Sequence, residues 1–238
     1  MTKKVPLTLM FLVCILGISF QSISQIKTNN MKESTKEIIG LLVTMKAQSG
    51  KEQAVKDFLL GGLSLVNQEP LTQSWYAFQI NENTFGIYDT FEAEEGRQAH
   101  LSGEVAKALL ANAGDLLVDF DVNVHIQAVD LTASEFKKGQ ENKGLLVIMK
   151  ANAGKSADVE SFLLAGQQLV KNEPETVSWY AFQIAEDTYA IFDTFADDKG
   201  RDAHLNGKVA EALMQNAPLI LEGFEASSIQ MIDILASK

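Results

Sequence analysis

The sequence predicts an α+β fold in which one chain carries two copies of a single module and pairs them face to face. Three observations predict it. The chain repeats itself at an offset of 104 residues, each copy has the order strand, helix, two strands, helix, strand, and the first strand is apolar on both faces. A length of 238 residues allows one large domain or two of ordinary size, so the repeat decides between them.

The repeat extends through nearly all of both copies. Residues 40–47 read GLLVTMKA and residues 144–151 read GLLVIMKA. Further matches at the same offset of 104 are EP at 69 and 173, SWYAFQI at 74 and 178, and DTF at 89 and 193. Near the end of each copy the offset falls to 103, which indicates a one-residue deletion in a surface loop.

The first half of each copy has the pattern of a strand followed by a helix. Residues 39–46 form an apolar run of strand length. Ser49 and Glu52 then have the spacing of a helix capping box, and Glu69-Pro70 is a helix stop signal. The helix between them has apolar residues at helical spacing: Val55, Phe58, Leu59, Leu63 and Val66.

The second half predicts a hairpin, a helix and a last strand. Residues 74–80 and 85–91 are aromatic and β-branched runs separated by a polar turn. Residues 97–113 return to helical spacing, with Gly103 predicted to kink the helix. Residues 122–131 alternate apolar and polar side chains, as a half-buried strand does.

This order is the ferredoxin-like β-α-β-β-α-β motif, in which both helices cover one face of an antiparallel sheet. In the first strand, Leu41, Val43 and Met45 point to one face of the sheet, and Leu42 and Thr44 point to the other. The face away from the helices therefore also carries apolar surface and needs cover. A second module in the same chain can supply that cover through a pseudo-twofold contact. The expected domains are residues 36–133 and 143–238, joined by a polar linker at 134–142.

The first 24 residues have the pattern of an export signal. Lys3 and Lys4 precede an apolar run from Val5 to Phe20, and small residues precede a cleavage position after Ser24. The run is shorter than the ~20 residues of a spanning helix, although an uncleaved anchor is the alternative. We therefore expect an exported protein, periplasmic or secreted, that is not held in the membrane once the signal is cleaved.

Cleavage would change the chemistry available to the mature chain. It would remove the only cysteine, so that no disulfide, thiol nucleophile or thiolate metal site is expected. It would also remove two lysines and no acidic residue, so the formal charge of −11 becomes −13. Such a charge opposes binding to nucleic acid or to anionic lipid.

The sequence blocks that recur in both copies resemble those of the antibiotic biosynthesis monooxygenase family. The blocks are M-K-A-x-x-G-K, E-P-x-T-x-S-W-Y-A-F-Q, D-T-F and G-R-x-A-H-L-x-G, and the resemblance covers about residues 36–133 and 143–238. It implies a dimeric α+β barrel, which family members normally form from two chains. It also implies oxidation of a phenol, quinol or anthrone by molecular oxygen with no metal or flavin; heme-degrading relatives share the fold.

Two histidines are the candidate catalytic bases. His100 and His204 occupy equivalent places at the border of the apolar face of the second helix, beside Arg97 and Arg201. An imidazole with an ordinary pKa of about 6.5 can take a proton from a phenolic hydroxyl, and the arginines can stabilise the anion. The alternative is a histidine that only hydrogen-bonds to a loop. His125 has no histidine partner in the second copy and is expected at the surface.

Other polar residues near these histidines leave alternatives open. Glu104 could join His100 in a metal site, but the second copy has Lys208 there, so no metal site is expected. Asp89 and Asp193 either orient the arginines or cap the following helix. No cofactor is expected, because the chain has no Gly-rich dinucleotide loop and no cysteine cluster.

The candidate substrate-binding residues lie on the second strand of each copy. Trp75 and Tyr76 point to opposite faces, as do Trp179 and Tyr180. The tryptophans share a face with Gln79 and Gln183, and we expect that face to be a flat wall with one polar group against an aromatic substrate. The alternative is that one or both aromatic residues only pack the core.

The sequence thus predicts a cofactor-independent monooxygenase that acts on a phenolic, quinol or polycyclic aromatic molecule with molecular oxygen. The alternative is a non-catalytic exported protein that binds a small aromatic or apolar ligand. Either protein could associate further as a homo-oligomer.

The export signal predicts that the mature protein begins at Gln25. Intact-mass measurement of the protein recovered from the envelope or medium should therefore give the mass of residues 25–238. Recovery of a chain that retains Met1 would contradict cleavage and favour the uncleaved anchor.

Overall fold

The computed structural model describes residues 39–238, and the predicted export signal lies outside them. The first copy contains β1 (Ile39–Lys46), α1 (Glu52–Val66), β2 (Thr72–Asn81), β3 (Thr84–Phe91), α2 (Glu94–Leu101), α3 (Glu104–Leu116), α4 (Val122–His125) and β4 (Ile126–Phe136). The second contains β5 (Lys143–Lys150), α5 (Ser156–Val170), β6 (Thr176–Ala185), β7 (Thr188–Phe195), α6 (Asp198–Leu205), α7 (Lys208–Ile220) and β8 (Ile229–Ser237), with a 3₁₀ turn at Ala226–Ser228 before β8.

The strands close into one antiparallel barrel in the order β1-β3-β2-β8-β5-β7-β6-β4. Two seams join the copies, because β2 pairs with β8 and β4 pairs with β6. The predicted α+β fold, two ferredoxin-like modules that form an intramolecular barrel, is therefore confirmed. No helix within residues 39–238 has the length and apolar character needed to cross a bilayer.

Three apolar clusters fill the molecule. One lies inside the barrel and is mainly aromatic, with Tyr76, Phe78, Tyr88, Tyr180, Phe182 and Phe192. The other two lie between the outer face of each half-barrel and its own helices. Because successive strand residues point to opposite faces, Tyr76 and Tyr180 face the interior while Trp75 and Trp179 face the helices.

The centre of the barrel contains a polar contact between the copies. The hydroxyl of Tyr76 lies 3.2 Å from that of Tyr180 and 3.1 Å from that of Ser178. Ser178 donates to Glu141 at 2.6 Å, and Thr194 donates to the same carboxylate oxygen at 2.8 Å. Glu141 lies between β4 and β5, so this connection is hydrogen-bonded to the barrel.

Four local predictions need correction. The expected capping box is absent: α1 begins at Glu52 after Lys51, because Gly50 turns the chain with a φ of +80° and donates to the Glu52 side chain. The helix expected at 97–113 is two helices, α2 and α3, and Gly103 is the extended residue between them.

The other two corrections concern the end of the first copy. Residues 122–125 form the helical turn α4 instead of a strand, because the Asp121 side chain accepts from the backbone N–H of Asn123. The predicted linker begins later than expected. Strand β4 continues to Phe136 and pairs with β6 of the second copy, so only residues 137–142 connect β4 to β5.

We expect residues 143–238 to self-associate when they are expressed alone. Without the first copy, β6 and β8 lose their partners β4 and β2, and the aromatic inner face of the sheet is exposed. Sedimentation velocity at micromolar concentration should show a dimer or larger species. A stable folded monomer would contradict this expectation.

Candidate functional site

The outer face of the first half-barrel carries a cavity of about 270 Å³ with Trp75 in its lining. Helix α1 supplies Phe58, Gly62 and Leu65, and helix α3 supplies Val105, Ala108 and Leu109. A Cβ atom added to Gly62 would lie 3.3 Å from the Trp75 ring, so this glycine lets the helix approach the indole closely. The result is an apolar cavity with an indole in its lining.

Polar groups in the lining of this cavity are few. Asp57 is exposed and accepts a hydrogen bond from Gln53 at 2.8 Å, and Asn112 donates to the backbone carbonyl of Ala108. Trp75 is 1% exposed, and its Nε1 has no hydrogen-bond partner. A buried indole N–H can only donate, and leaving it unpaired costs about 1–3 kcal/mol. A ligand oxygen that accepts from Nε1 would remove this cost.

The second copy has a different cleft at the equivalent place. The cleft has a volume of about 490 Å³ and is lined by Phe162, Gly166, Leu169, Ala212 and Asn216, the counterparts of first-copy cavity residues. Trp179 is not part of its lining, although its Nε1 is likewise buried without a partner. Ser161 replaces Asp57. The two copies therefore present unlike sites.

His100 lies in a buried cluster of three ionisable side chains. Its Nδ1 is 2.6 Å from Oε2 of Glu69, in a hydrogen bond, and its Nε2 is 3.0 Å from Oδ2 of Asp89, in an ion pair. The second copy repeats the cluster, with His204 2.6 Å from Glu173 and 3.2 Å from Asp193. Both nitrogens of each ring thus contact a carboxylate.

These contacts set the charge of the histidines. Burial by itself lowers the pKa of His100, but Asp89 and then Glu69 outweigh it and raise the pKa to about 9. For His204 the same balance of burial against Asp193 and Glu173 raises the pKa to about 10. At neutral pH each histidine is therefore protonated, with a carboxyl group against each ring nitrogen, and burial raises the pKa of Asp89 and Asp193. The catalytic role of His100 and His204 stays a prediction, but this geometry does not favour a free base.

The cluster explains why the repeated sequence blocks contain these residue types. Thr72 donates to Glu69 at 2.9 Å, and a Cβ atom at Gly103 would lie 2.6 Å from Oε1 of Glu69. The E-P-x-T, D-T-F and A-H-L-x-G blocks therefore meet at one point. Glu69 and Glu173 were not among the predicted site residues, because Glu69-Pro70 also has the pattern of a helix stop. The recurrence of both residues 104 positions later was the available signal.

The structure shows neither of the two roles predicted for Asp89 and Asp193, which were to orient the arginines or to cap the following helix. Each carboxylate is buried against a histidine. The residues before α2 and α6 are Ala93 and Asp197, so neither Asp89 nor Asp193 caps the following helix. The described contacts pair neither of them with an arginine.

Each arginine is paired with an acidic residue of its own helix. Arg97 pairs with Glu94 of its own helix, and Arg201 pairs with Asp198 at 2.6 Å and donates to the backbone carbonyl of Ile232 at 3.3 Å. Neither arginine lines the Trp75 cavity or the second-copy cleft.

The glutamines also lie away from the Trp75 cavity. Gln79 donates to the backbone carbonyl of Asn81 at 3.0 Å, and Gln183 donates to that of Glu186 at 3.2 Å. The structure therefore brings His100 together with Asp89 and Glu69, and Trp75 together with the two helices. It does not bring Gln79 or Arg97 to the Trp75 cavity.

His125 is the remaining histidine. It is half-buried in α4, with Nδ1 3.0 Å from the backbone of Asp121 and its ring stacked on Phe120. Within residues 39–238 no set of three His, Cys, Asp or Glu side chains is arranged to hold a metal ion. In the His100 cluster the carboxylates contact opposite sides of the ring, so the three groups do not converge on one point.

Comparison with solved structures shows the same fold in other proteins. A candidate monooxygenase from Fusobacterium nucleatum matches with a TM-score of 0.72 and 12% identity, covering 86% of this chain and 95% of its own. A candidate monooxygenase from Lactobacillus acidophilus matches with a TM-score of 0.69 and 8% identity, covering 84% and 95%. An anthrone oxidase-like protein matches with a TM-score of 0.59 and 9% identity, covering 87% and 94%.

These likenesses show that the chain has a monooxygenase-like fold. No protein-family model matches the chain, and no curated protein matches it in sequence.

Replacing His100 by Ala should lower the free energy of unfolding by about 3–5 kcal/mol, because it leaves Asp89 and Glu69 without their shared cation. Urea denaturation followed by circular dichroism measures the change. His125→Ala is the matched control, with an expected change within about 1 kcal/mol. Equal changes in the two variants would show that the buried cluster does not stabilise the fold.

Proposed function

We propose that the chain is an exported oxygenase that binds a flat aromatic molecule in the Trp75 cavity and lets it react directly with molecular oxygen. The observation that carries the proposal is the apolar cavity with Trp75 in its lining, because the buried Nε1–H of this indole has no hydrogen-bond partner. The shared fold with candidate monooxygenases supports it. Export rests on the sequence of residues 1–24 alone.

The cavity suits a phenol, quinol or anthrone. The walls formed by Phe58, Leu65 and Leu109 would contact the faces of an aromatic ring, and Trp75 would donate to its oxygen. As the substrate loses a proton, that oxygen gains negative charge, and a hydrogen bond to it becomes stronger. The indole would thus favour the anion over the neutral substrate.

Asp57 is the ionisable group that this cavity offers as a proton acceptor. It is exposed, so a proton taken from a second hydroxyl of a quinol could pass to water. Ser161 stands at this position in the second copy, where the cleft has Asp158, paired with Lys155, and does not have Trp179 in its lining. Because only the first-copy cavity combines the indole with a carboxylate side chain that forms no ion pair within residues 39–238, we assign the reaction to the first copy, with Asp57 in place of His100 as the base.

The chemistry needs no further electron donor. An activated CH₂ group, as in an anthrone, loses two hydrogen atoms and gains one oxygen atom, and the second atom of O₂ leaves as water. The substrate supplies all four electrons that reduce O₂, which is consistent with the expected independence of metal and flavin. The protein contributes exclusion of water, orientation and stabilisation of the anion.

The apolar lining also suits the second candidate function, a non-catalytic carrier of an aromatic ligand. Binding with no oxygen consumption would favour this candidate. In that case the cavity would bind the ligand without promoting its oxidation.

The chain has two tryptophans, Trp75 and Trp179, so a variant that replaces one of them keeps the other as a fluorescent reporter. With anthrone and a panel of hydroquinones, Trp75→Phe should lower the rate of oxygen consumption by about 10–100-fold, because it removes a hydrogen bond to a charged oxygen. The matched variant Trp179→Phe should stay within about twofold of the parent rate. An oxygen electrode measures both.

Circular dichroism must first show that both variants are folded. Equal losses in the two variants would contradict the assignment to the first copy. Quenching of Trp75 fluorescence in Trp179→Phe by a substrate that is not oxidised would support the carrier. No quenching and no oxygen consumption with any compound would contradict both functions.

A further inference from the structure

The His100 cluster contacts or adjoins all four elements that line the Trp75 cavity, which are α1, β2, β3 and α3. Asp89 on β3 is the direct cross-strand partner of Trp75 on β2, so their side chains lie side by side on the helix-facing side of the sheet. Ile87, two residues earlier on β3, lines the cavity. The cluster is therefore anchored to the same strands as the indole.

Glu69 connects the cluster to both cavity helices. Its backbone N–H donates to the carbonyl of Val66, the last residue of α1, at 3.0 Å. Its Oε1 is buried beside Gly103, the residue before α3, and in the second copy the equivalent oxygen of Glu173 accepts from the backbone N–H of Val209 at 3.4 Å. A carboxylate at this point stabilises the N-terminus of α3. Val105, on the first turn of α3, lines the cavity.

We infer that His100 is a positioning residue that holds Glu69 against the start of α3 and Asp89 beside Trp75, and thereby sets the shape of the Trp75 cavity and its affinity for an aromatic ligand. This inference rests on the proposed use of that cavity as the ligand site. His204 has the same contacts in the second copy and is a built-in control, because its cluster is joined to α7 and Trp179.

The charge of the cluster gives this role a pH dependence of known sign. The pKa of His100 is raised to about 9 by Asp89 and Glu69 against the effect of burial. While the carboxylates are ionised, the contribution of this attraction is complete below the ordinary histidine pKa of about 6.5, and it is lost as pH rises through about 9. A positioning histidine predicts that ligand affinity falls over this range. A catalytic base predicts the opposite, a rate that rises as the ring loses its proton.

One other group beside the cluster titrates at alkaline pH. Lys238, which follows β8, donates to the backbone carbonyls of Glu69 at 2.5 Å and Val66 at 3.0 Å, and burial lowers its pKa. Glu69 and Asp89 are the remaining charged groups that contact His100 in the described chain. A variant without the His100 charge retains Lys238. It therefore separates the contribution of His100 to the pH dependence of ligand affinity from that of Lys238.

The experiment uses the full chain with Trp179→Phe, so that Trp75 is the only tryptophan. The probe is 1-anilinonaphthalene-8-sulfonate, whose sulfonate stays ionised from pH 7 to 10, and quenching of Trp75 gives its Kd. Adding Asp89→Asn and His100→Gln together removes the buried cation and one buried anion while it nearly conserves volume. The matched control adds Asp193→Asn and His204→Gln instead.

We expect the first-copy pair to weaken probe binding at pH 7 by about 10-fold, and the second-copy pair to change it by less than about twofold. We also expect the parent Kd to rise between pH 8 and pH 10, and this rise to disappear in the first-copy pair. A pH-dependent rise that persists in that pair would assign it to Lys238 and overturn the role of His100.

Equal effects of the two pairs, or none, would overturn the inference. So would an oxygenation rate that rises through pH 9 and is lost with His100, which would show a base. If circular dichroism finds the first-copy pair unfolded, a parent Kd that is constant from pH 7 to 10 overturns the inference. Failure of the probe to quench Trp75 at any pH would instead reject the proposed site, which makes the two failures distinguishable.

Discussion

The structure depends on covering the inner face of each four-stranded half-barrel. That face is built from large aromatic side chains, among them Tyr76, Phe78 and Tyr88 in the first copy and Tyr180, Phe182 and Phe192 in the second. A sheet with helices on one side leaves these rings in water, and burying them against each other is a large apolar gain. The seams β2–β8 and β4–β6 follow, because the two inner faces meet only when the sheets close on each other.

Closure also fixes the places where chemistry is possible. With the interior filled by rings, the space open to a small molecule lies on the outer faces, beneath the helices. Strand alternation then decides the chemistry: Tyr76 and Tyr180 contact each other inside the barrel, and the tryptophans beside them in sequence face the helices. The His100 and His204 clusters tie those helices to the sheet.

The fold was predictable from sequence because an internal repeat, strand periodicity and helix periodicity all agreed. The errors were local and have physical causes. The last strand of the first copy was shifted because Asp121 caps a helical turn that the alternation of Val122 and Val124 does not reveal. Strand β4 ran past its predicted end because its last residues gain a partner from the second copy, and cross-copy pairing has no local signature.

The candidate site was predicted only in part, because strand alternation is visible in the sequence and contacts between distant segments are not. Facing directions follow from period two, so the helix-facing position of Trp75 was accessible. The grouping of Glu69, Asp89 and His100 was not, since it joins three segments that are far apart in sequence. Gln79 and Arg97 stay outside the cavity because each is hydrogen-bonded within its own segment, Gln79 to Asn81 and Arg97 to Glu94.

The connection between the copies has a consequence of its own. Residues 137–142 cross from β4 to β5, and Glu141 within them is hydrogen-bonded to Ser178 and Thr194. A short tether makes pairing of the two sheets a first-order event with an effective local concentration of about millimolar. A barrel assembled from separate chains dissociates when diluted below its Kd. This one keeps both halves together at any dilution, because the two sheets belong to one covalent chain.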